Sequence, residues 1–127
     1  MNKPKVVTLC GSTRFTEQML IKQWELTKAG YIVLSWCALP DCYFADAGED
    51  PNQRITGGRW HIGDHENVKE IMDEVHKRKI DISDEVFVLN IDGYIGESTT
   101  SEVKYALNKG VPIYWQEPDK SPKWANK

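Results

Sequence analysis

Residues 27–36, TKAGYIVLSW, and residues 107–116, LNKGVPIYWQ, share one layout: each passes from a helix end through a lysine and a glycine into a short apolar run typical of a buried strand. Glycine is favoured just after a helix because it adopts the left-handed backbone conformation at little cost. Two such joints in one chain indicate repeated strand and helix units, which right-handed crossovers connect into a parallel sheet.

Apolar and β-branched runs elsewhere in the chain supply the remaining elements. Strands are predicted over residues 5–10, 31–36, 85–90 and 111–115. Helices are predicted over about residues 15–29, 64–80 and 99–109, the second from an apolar stripe of Val68, Ile71, Met72 and Val75. This alternation predicts one α/β domain over residues 1–127, a Rossmann or flavodoxin-like three-layer fold whose parallel sheet has four to five strands in the order 2-1-3-4(-5).

The bulk composition limits the classes of function. A chain of 127 residues, 40% of them hydrophobic, has the size of one compact domain. Sixteen basic against nineteen acidic residues leave a formal charge of -3, which provides no basic field for a nucleic-acid polymer. No apolar run approaches the roughly 20 residues of a membrane span, and no targeting segment is recognised. The sequence therefore predicts neither a nucleic-acid polymer nor a membrane as the partner of this protein.

The cysteines and two of the histidines bear on metal binding. Cys10, Cys37 and Cys42 are an odd number of cysteines without CxxC spacing. That pattern predicts reduced thiols in a cytoplasmic protein and argues against metal binding by the cysteines. His61 and His65 are four residues apart but lack the glutamate of an HExxH motif. No metal site and no cofactor are therefore predicted.

Residues 37–63 contain prolines and glycines without helical or alternating periodicity, and they predict a long loop. Loops of this length inside a compact domain are usually lids or binding loops, or else disordered. Tyr43, Phe44 and Trp60 favour ordering on a ligand or a partner subunit, so this segment is predicted to be an active-site or interface loop. Residues 117–127 are predicted to form a tail.

The first motif with chemical potential is CGSTRF, residues 10–15, which joins the first strand to the first helix. Gly11 permits a tight turn whose free backbone N–H groups, together with the Ser12 hydroxyl, can hold an anion. Arg14 adds a forked guanidinium suited to phosphate. The alternative is that Ser12 or Thr13 only caps the helix and Arg14 is solvated, and local sequence alone favours this alternative.

The second motif is NIDGYIGESTTSE, residues 90–102, which leads from the third strand into a helix. Its spaced glycines, among them Gly96, and its polar side chains, among them Asn90 and Ser98, predict a cradle for an anion or a sugar at the helix N-terminus. Thr99 and Glu102 also fit a capping box, in which Glu102 accepts a hydrogen bond from the Thr99 N–H. Taken alone, this motif favours the capping role for Glu102.

Together, the GSTR turn (residues 11–14) and the SEVKYA helix (residues 101–106) resemble the nucleoside 2-deoxyribosyltransferase-like superfamily over most of the chain. That superfamily includes deoxyribosyltransferases and nucleoside 5′-monophosphate N-glycosidases, and it carries a glutamate in a motif of the form E-hydrophobic-x-x-A. Residues 102–106, EVKYA, match that form. The stretches HKRKIDISDEVFVLN (residues 76–90) and GYIGEST (residues 93–99) are most similar to small bacterial and phage members.

The resemblance implies that Glu102 is a nucleophile that attacks the anomeric carbon of a nucleoside or nucleotide. The resulting glycosyl-enzyme ester is resolved by water or by an acceptor base. Ser12 and Arg14 match the phosphate-binding residues of the monophosphate hydrolases, with Ser98 completing that site, which favours a 5′-monophosphate. The helix N-terminus is expected to lower the pKa of Glu102. A homodimer or higher homo-oligomer is also implied.

Asp81 lies where the superfamily carries an aspartate before the third strand, so the resemblance implies a general acid that protonates the leaving base. Asp84 is three residues away and remains an alternative, and either residue can instead be structural. His76, on the preceding helix, can act as an acid or base, or simply as a cation at the helix C-terminus.

Two functions from different classes remain open at the level of sequence. One is N-glycosidic bond cleavage or (deoxy)ribosyl transfer, where the choice between hydrolase and transferase depends on whether water or a second base reaches the ester. The other is a catalytically silent module that binds a nucleotide or nucleotide-sugar and uses Glu102 only as a cap or as an acceptor for a ribose hydroxyl. The presence of both Glu102 and Asp81 favours the enzyme.

Overall fold

A computed structural model of the chain describes residues 3–38 and 68–125. Within these residues the regular elements, in chain order, are β1 (Val6–Gly11), α1 (Thr16–Lys28), β2 (Ile32–Leu34), α2 (Lys69–Asp81), β3 (Glu85–Leu89), α3 (Glu97–Lys109) and β4 (Ile113–Trp115). One 3-10 turn follows β1 at Thr13–Phe15, one follows β3 at Ile91–Gly93, and two follow β4 at Pro118–Lys120 and Lys123–Ala125.

The four strands form one parallel sheet in the order β2-β1-β3-β4. The central strand β1 pairs with both neighbours, so that Val7 lies between Val33 of β2 and Glu85 of β3. On the other side of β3, Val86 pairs with Ile113 of β4. This arrangement confirms the predicted Rossmann-like α/β fold and its strand order 2-1-3-4.

The two faces of the sheet support separate cores, because successive residues of a strand point to opposite faces. On one face, Leu9 and Leu89 pack with Met19 of α1. On the other, Cys10, Val86 and Val88 pack against the helices α2 and α3 through Ile80, Val103 and Ala106. Strands buried on both faces are typical of parallel sheets covered by helices, and this explains why β1 and β3 read as nearly continuous apolar runs.

Both lysine–glycine joints behave as their sequences predict. Gly30 and Gly110 follow α1 and α3 with φ values of 99° and 75°, in the left-handed region. After α3, the Val111 N–H donates to the Ala106 carbonyl at 3.0 Å, which closes the helix end before the chain enters β4. The strands β2 and β4 are shorter than their apolar runs, because only three residues of each are paired with a neighbour.

The remaining sequence predictions are met only in part by the described residues. Of the predicted loop 37–63, only residues 37 and 38 are described, and the predicted start of the second helix at residues 64–67 also lies outside them. Residues 117–125 of the predicted tail contain two 3-10 turns, and Trp124 and Ala125 pack against the α2 and α3 core. In the described part of the chain, no helix has both the length and the apolar character of a membrane span.

Candidate functional site

A pocket of about 540 Å³ opens at the carboxyl ends of the parallel strands. In open parallel sheets, ligands bind in the crevice at this edge, beside the point where the strand order reverses. Here β1 lies at that point, between β2 and β3. The turn after β1, the end of β2, one side of α2 and the start of α3 line the pocket, with contributions from Gly11, Ser12, Thr13, Trp36, Asp73, His76, Tyr94, Gly96, Ser98 and Glu102.

Glu102 is buried in the pocket wall, with 7% of its surface exposed. Burial, followed by the nearby charge of Asp73, raises the pKa of Glu102 to about 8. The expectation that the helix N-terminus lowers this pKa is therefore wrong. Glu102 lies in the second turn of α3, where the effect of the helix dipole has fallen off and desolvation dominates.

The predicted capping box is also wrong, because α3 begins earlier than the sequence suggested. Gly96 is the N-cap of the helix, and the Thr100 N–H donates to the Gly96 carbonyl at 2.9 Å. Thr99 is therefore inside the first turn and buried, and it is not a cap. Glu102 has no capping role, so the structural explanation for a glutamate at this position is removed.

Glu102 belongs to a buried cluster with Cys10 and His76. The His76 Nε2 atom lies 3.5 Å from the Cys10 Sγ and 3.7 Å from the Glu102 Oε1. Burial, with a further contribution from Lys79, lowers the pKa of His76 to about 4, so the ring is neutral at pH 7. The contact with Glu102 is accordingly not an ion pair at neutral pH. Burial and the neighbouring Glu102 raise the pKa of the Cys10 thiol.

A second carboxylate, Asp73, shares the pocket with Glu102. Lys69, at the start of α2, lies 3.1 Å from the Asp73 Oδ2 and donates a hydrogen bond to the Ser98 Oγ at 2.8 Å. These contacts join the start of α2 to the start of α3 across the pocket. The predicted Ser98 and Gly96 both line the pocket, and Lys69 adds a cation beside them.

The turn after β1 brings the predicted Gly11 and Ser12 to the pocket. The Ser12 Oγ accepts a hydrogen bond from the Arg14 N–H at 3.2 Å, as a cap of the 3-10 turn. Thr13 Oγ1 is buried without a hydrogen-bond partner in the described part of the chain. Buried hydroxyls are nearly always paired, so an orphaned one in a pocket wall indicates a position that a ligand can satisfy.

Arg14 is exposed, and its guanidinium carbon stacks 4.0 Å from the centre of the Tyr94 ring. Tyr94 lines the pocket, whereas Arg14 lies beyond it. The guanidinium is therefore at the rim and reaches the pocket only by leaving the tyrosine ring. On the opposite side of the turn, Trp36 lies so close to Gly11 that a Cβ atom there would be 3.0 Å from its ring.

The structure does not bring Asp81 to the pocket. Asp81 is the last residue of α2, about 12 Å further along the helix axis than Asp73. Its carboxylate accepts a hydrogen bond from the Tyr105 hydroxyl at 2.5 Å and lies 2.9 Å from the Arg78 Nε. A general acid must reach its substrate within hydrogen-bond distance. The position of Asp81 outside the pocket therefore contradicts its predicted role as the general acid. Asp84, the alternative, also has a structural contact, since its carboxylate accepts a hydrogen bond from the Val6 N–H at 2.7 Å.

Asn90 has a structural role in place of the predicted contact with a ligand. Its side-chain amide donates to the Glu117 carbonyl at 3.0 Å and accepts from the Glu117 N–H at 2.9 Å. Asn90 is fully buried and is absent from the pocket wall. It joins the end of β3 to the segment that follows β4.

Sequence reasoning missed Asp73, Lys69 and Cys10. The signal for Asp73 was its spacing of three residues from His76, which puts both on one face of α2. The apolar stripe predicted a different face of this helix to be buried, so the face with Asp73 and His76 was not recognised. Ile71 and Val75 of the stripe line the pocket and are more exposed than expected, while His76 and Ile80 are the residues that α2 buries.

No protein-family model matches the chain, and no curated protein matches it. The fold and pocket define an α/β domain with a pocket at the carboxyl edge of its parallel sheet. The superfamily resemblance rests on sequence motifs, chiefly GSTR and SEVKYA, and remains a prediction.

Proposed function

We propose that the protein cleaves the N-glycosidic bond of a nucleoside or nucleotide, by hydrolysis or by (deoxy)ribosyl transfer, through a glycosyl ester on Glu102. The observation that carries this proposal is the buried carboxyl group of Glu102, which does not cap the helix. It lies in the wall of a pocket of about 540 Å³ at the carboxyl edge of a parallel sheet. Small-molecule sites typically enclose about 300–1,000 Å³. The pocket is therefore large enough for a nucleoside monophosphate.

The environment of Glu102 suits a nucleophile for an electron-poor carbon. A desolvated carboxylate is more basic, and so more nucleophilic once ionised, than an exposed one. With a pKa of about 8, about one tenth of Glu102 is ionised at pH 7. The positive charge that develops on the sugar in the transition state favours this ionised form.

Asp73 replaces Asp81 as the second carboxylate of the proposed mechanism. Glycosidases of the retaining type use two carboxyl groups beside the scissile bond. Asp73, Glu97 and Glu102 are the described carboxylates that line the pocket, and of the other two only Asp73 contributes its charge to the raised pKa of Glu102. We assign Asp73 the task of hydrogen bonding to the leaving base and then to the incoming water or acceptor.

The proposed substrate carries a 5′-phosphate. Ser98 and Gly96, at the N-terminus of the thirteen-residue helix α3, lie beside Lys69. A helix N-terminus with a lysine and a hydroxyl is a favourable environment for a phosphate group. Thr13 Oγ1 supplies a further hydrogen-bonding group on the other side of the pocket.

Incubation with a panel of nucleosides and 5′-monophosphates, with and without a free acceptor base, tests the proposal. We expect base release, with a stronger response to monophosphates, and we expect Glu102→Gln to abolish it. Glu74→Gln, on the exposed side of α2, is the matched control and should retain activity. If the folded wild-type chain released no base from any substrate of the panel, the proposed activity would be rejected.

A silent binding module is the second candidate, because a neutral Glu102 can donate a hydrogen bond to a sugar hydroxyl without reacting. This candidate predicts that nucleotides bind to the wild-type chain with no base release at any pH between 6 and 9. Calorimetric titration beside the release assay separates the two functions.

A further inference from the structure

The proposed mechanism uses Glu102 but leaves its two buried neighbours, Cys10 and His76, without a task. The three side chains come from different elements, β1, α2 and α3. One ligand atom of each, the Cys10 Sγ, a His76 ring nitrogen and a Glu102 carboxylate oxygen, lies within 4.8 Å of the other two. We propose that these three groups bind a divalent metal ion of the zinc type.

The distances within the cluster fit such an ion. Zinc binds sulfur at about 2.3 Å, nitrogen at about 2.0–2.1 Å and carboxylate oxygen at about 2.0–2.2 Å. In a tetrahedral site these bonds separate sulfur from nitrogen by about 3.6 Å and nitrogen from oxygen by about 3.4 Å. The corresponding separations here are 3.5 Å and 3.7 Å. The third pair, the Cys10 sulfur and a Glu102 oxygen, lies within 4.8 Å, against about 3.6 Å in a tetrahedral site, so an ion can enter with side-chain movements of about 1 Å.

The donor set selects the kind of ion. A thiolate, an imidazole and a carboxylate together suit zinc and its first-row neighbours, whereas calcium and magnesium prefer oxygen ligands alone. The His76 ring also hydrogen-bonds to the Leu9 backbone, and such a contact commonly orients a metal-binding histidine. His76 and Glu102 line the pocket, so an ion held by them is reached from the pocket.

Metal binding at this cluster is expected to inhibit the proposed activity, and the inhibition, unlike the binding, rests on the proposed function. An ion bound by Glu102 withdraws the carboxylate from attack on the sugar, while the Cys10 thiol and the largely protonated Glu102 carboxyl group release their protons to solvent as they bind. The metal-loaded protein is therefore inactive as an N-glycosidase, and a chelator restores activity.

Cobalt titration of the full chain, after treatment with a chelator, tests the binding directly and needs no substrate. We expect one equivalent of Co²⁺ to bind with a thiolate-to-cobalt charge-transfer band, which Zn²⁺ then displaces. Cys10→Ser should abolish the band, and Glu102→Gln should weaken binding on the order of 10²-fold. Cys37→Ser is the matched control, since Cys37 is exposed and should leave the band unchanged.

Each outcome decides the inference. Absence of stoichiometric binding overturns it, and so does a thiolate-to-cobalt band that survives Cys10→Ser. If Cys10→Ser does not fold, Glu102→Gln decides by the loss of affinity in a chain of native circular dichroism. Cobalt binding without base release in the metal-free chain would reject only the proposed function. Base release that persists at saturating Zn²⁺ would reject only the inhibition.

Discussion

The two edges of the sheet differ in how completely their polar side chains are paired. At the amino edge, Asp84 accepts from the Val6 N–H and the Thr8 hydroxyl hydrogen-bonds to Ser83, so each group has a fixed partner. Asp81, near this edge, is surrounded by a tyrosine hydroxyl and two cations. These side chains connect neighbouring elements, and their hydrogen bonds and ion pairs within the fold explain why polar residues occur at these positions.

At the carboxyl edge the pairing is incomplete. Thr13 Oγ1 has no partner in the described residues, and Glu102 is desolvated to the extent that its pKa rises to about 8. A buried polar group without a hydrogen-bond partner lowers the stability of the fold. Such groups are typical of sites where a bound ligand supplies the missing partner. In this domain the completeness of hydrogen-bond pairing, more than the residue type, distinguishes the polar groups with a structural role from those that we propose to bind a ligand.

The largest expected effect comes from exchanging one carboxyl group at each edge. Glu102→Gln should lower kcat for base release by at least about 10³-fold, because the amide cannot form the ester. Asp81→Asn should change kcat by less than about threefold, since its contacts lie outside the pocket. Steady-state kinetics on both variants checks this. Equal losses would eliminate the distinction between the two edges.

Asp73→Asn should lower kcat on the order of 10²-fold, the range of a lost proton-handling group. The loss should be smaller for a substrate with a chemically activated leaving group, which depends less on hydrogen bonding by Asp73. Lys69→Met removes the cation beside Asp73 and Ser98 and should raise KM for monophosphates more than for nucleosides. An Asp73→Asn chain with wild-type kcat on both kinds of substrate would contradict the assignment.

The stability of the metal-free chain should fall as pH rises from 6.5 to 8. The raised folded-state pKa of Glu102 gives a contribution that is fully present below its ordinary value of 4.5 and is lost as pH approaches 8. His76, with a pKa lowered to about 4, opposes this slope only below 6.5, where its unfolded form is protonated. The expected loss between pH 6.5 and 8 is about 2 kcal/mol.

Denaturant unfolding at several pH values measures this slope. Glu102→Gln has no titrating carboxyl group and should show a nearly flat profile over the same range. A wild-type profile as flat as that of the variant would show that Glu102 is not desolvated in solution.

The smallest expected effects come from a pair of glycine substitutions. Gly11→Ala brings a Cβ atom to 3.0 Å from the Trp36 ring and should cost about 1–3 kcal/mol of stability while raising KM, because the tryptophan must move at the pocket. Gly110→Ala meets nothing within 4 Å but holds a φ of 75°, so it should cost about 1–2 kcal/mol with KM unchanged. Thermal unfolding and kinetics on both variants separate crowding at the pocket from backbone strain.

Much of the fold was predictable because its signals are local. The run KVVTLC, the lysine–glycine joints and the apolar EVFVLN each specify an element through a few consecutive residues, and all of these elements are present. The start of α3 was predicted two residues late, because Gly96 caps the helix through its backbone and leaves no side-chain signal. Of the site residues, Gly11, Ser12, Gly96, Ser98 and Glu102 were found by motif and do line the pocket.

The sequence by itself determined the strands, the C-terminal ends of the helices and the glycine turns, since periodicity and backbone preference act over a few residues. Only the tertiary structure decided which polar side chains meet. Cys10 and His76 are 66 residues apart and come together because β1 lies under α2. Asp73 and Asp81 are on the same helix, but two turns separate them, so one faces the pocket and the other the far edge. Burial, which raises the pKa of Glu102, depends in the same way on the completed packing of the domain.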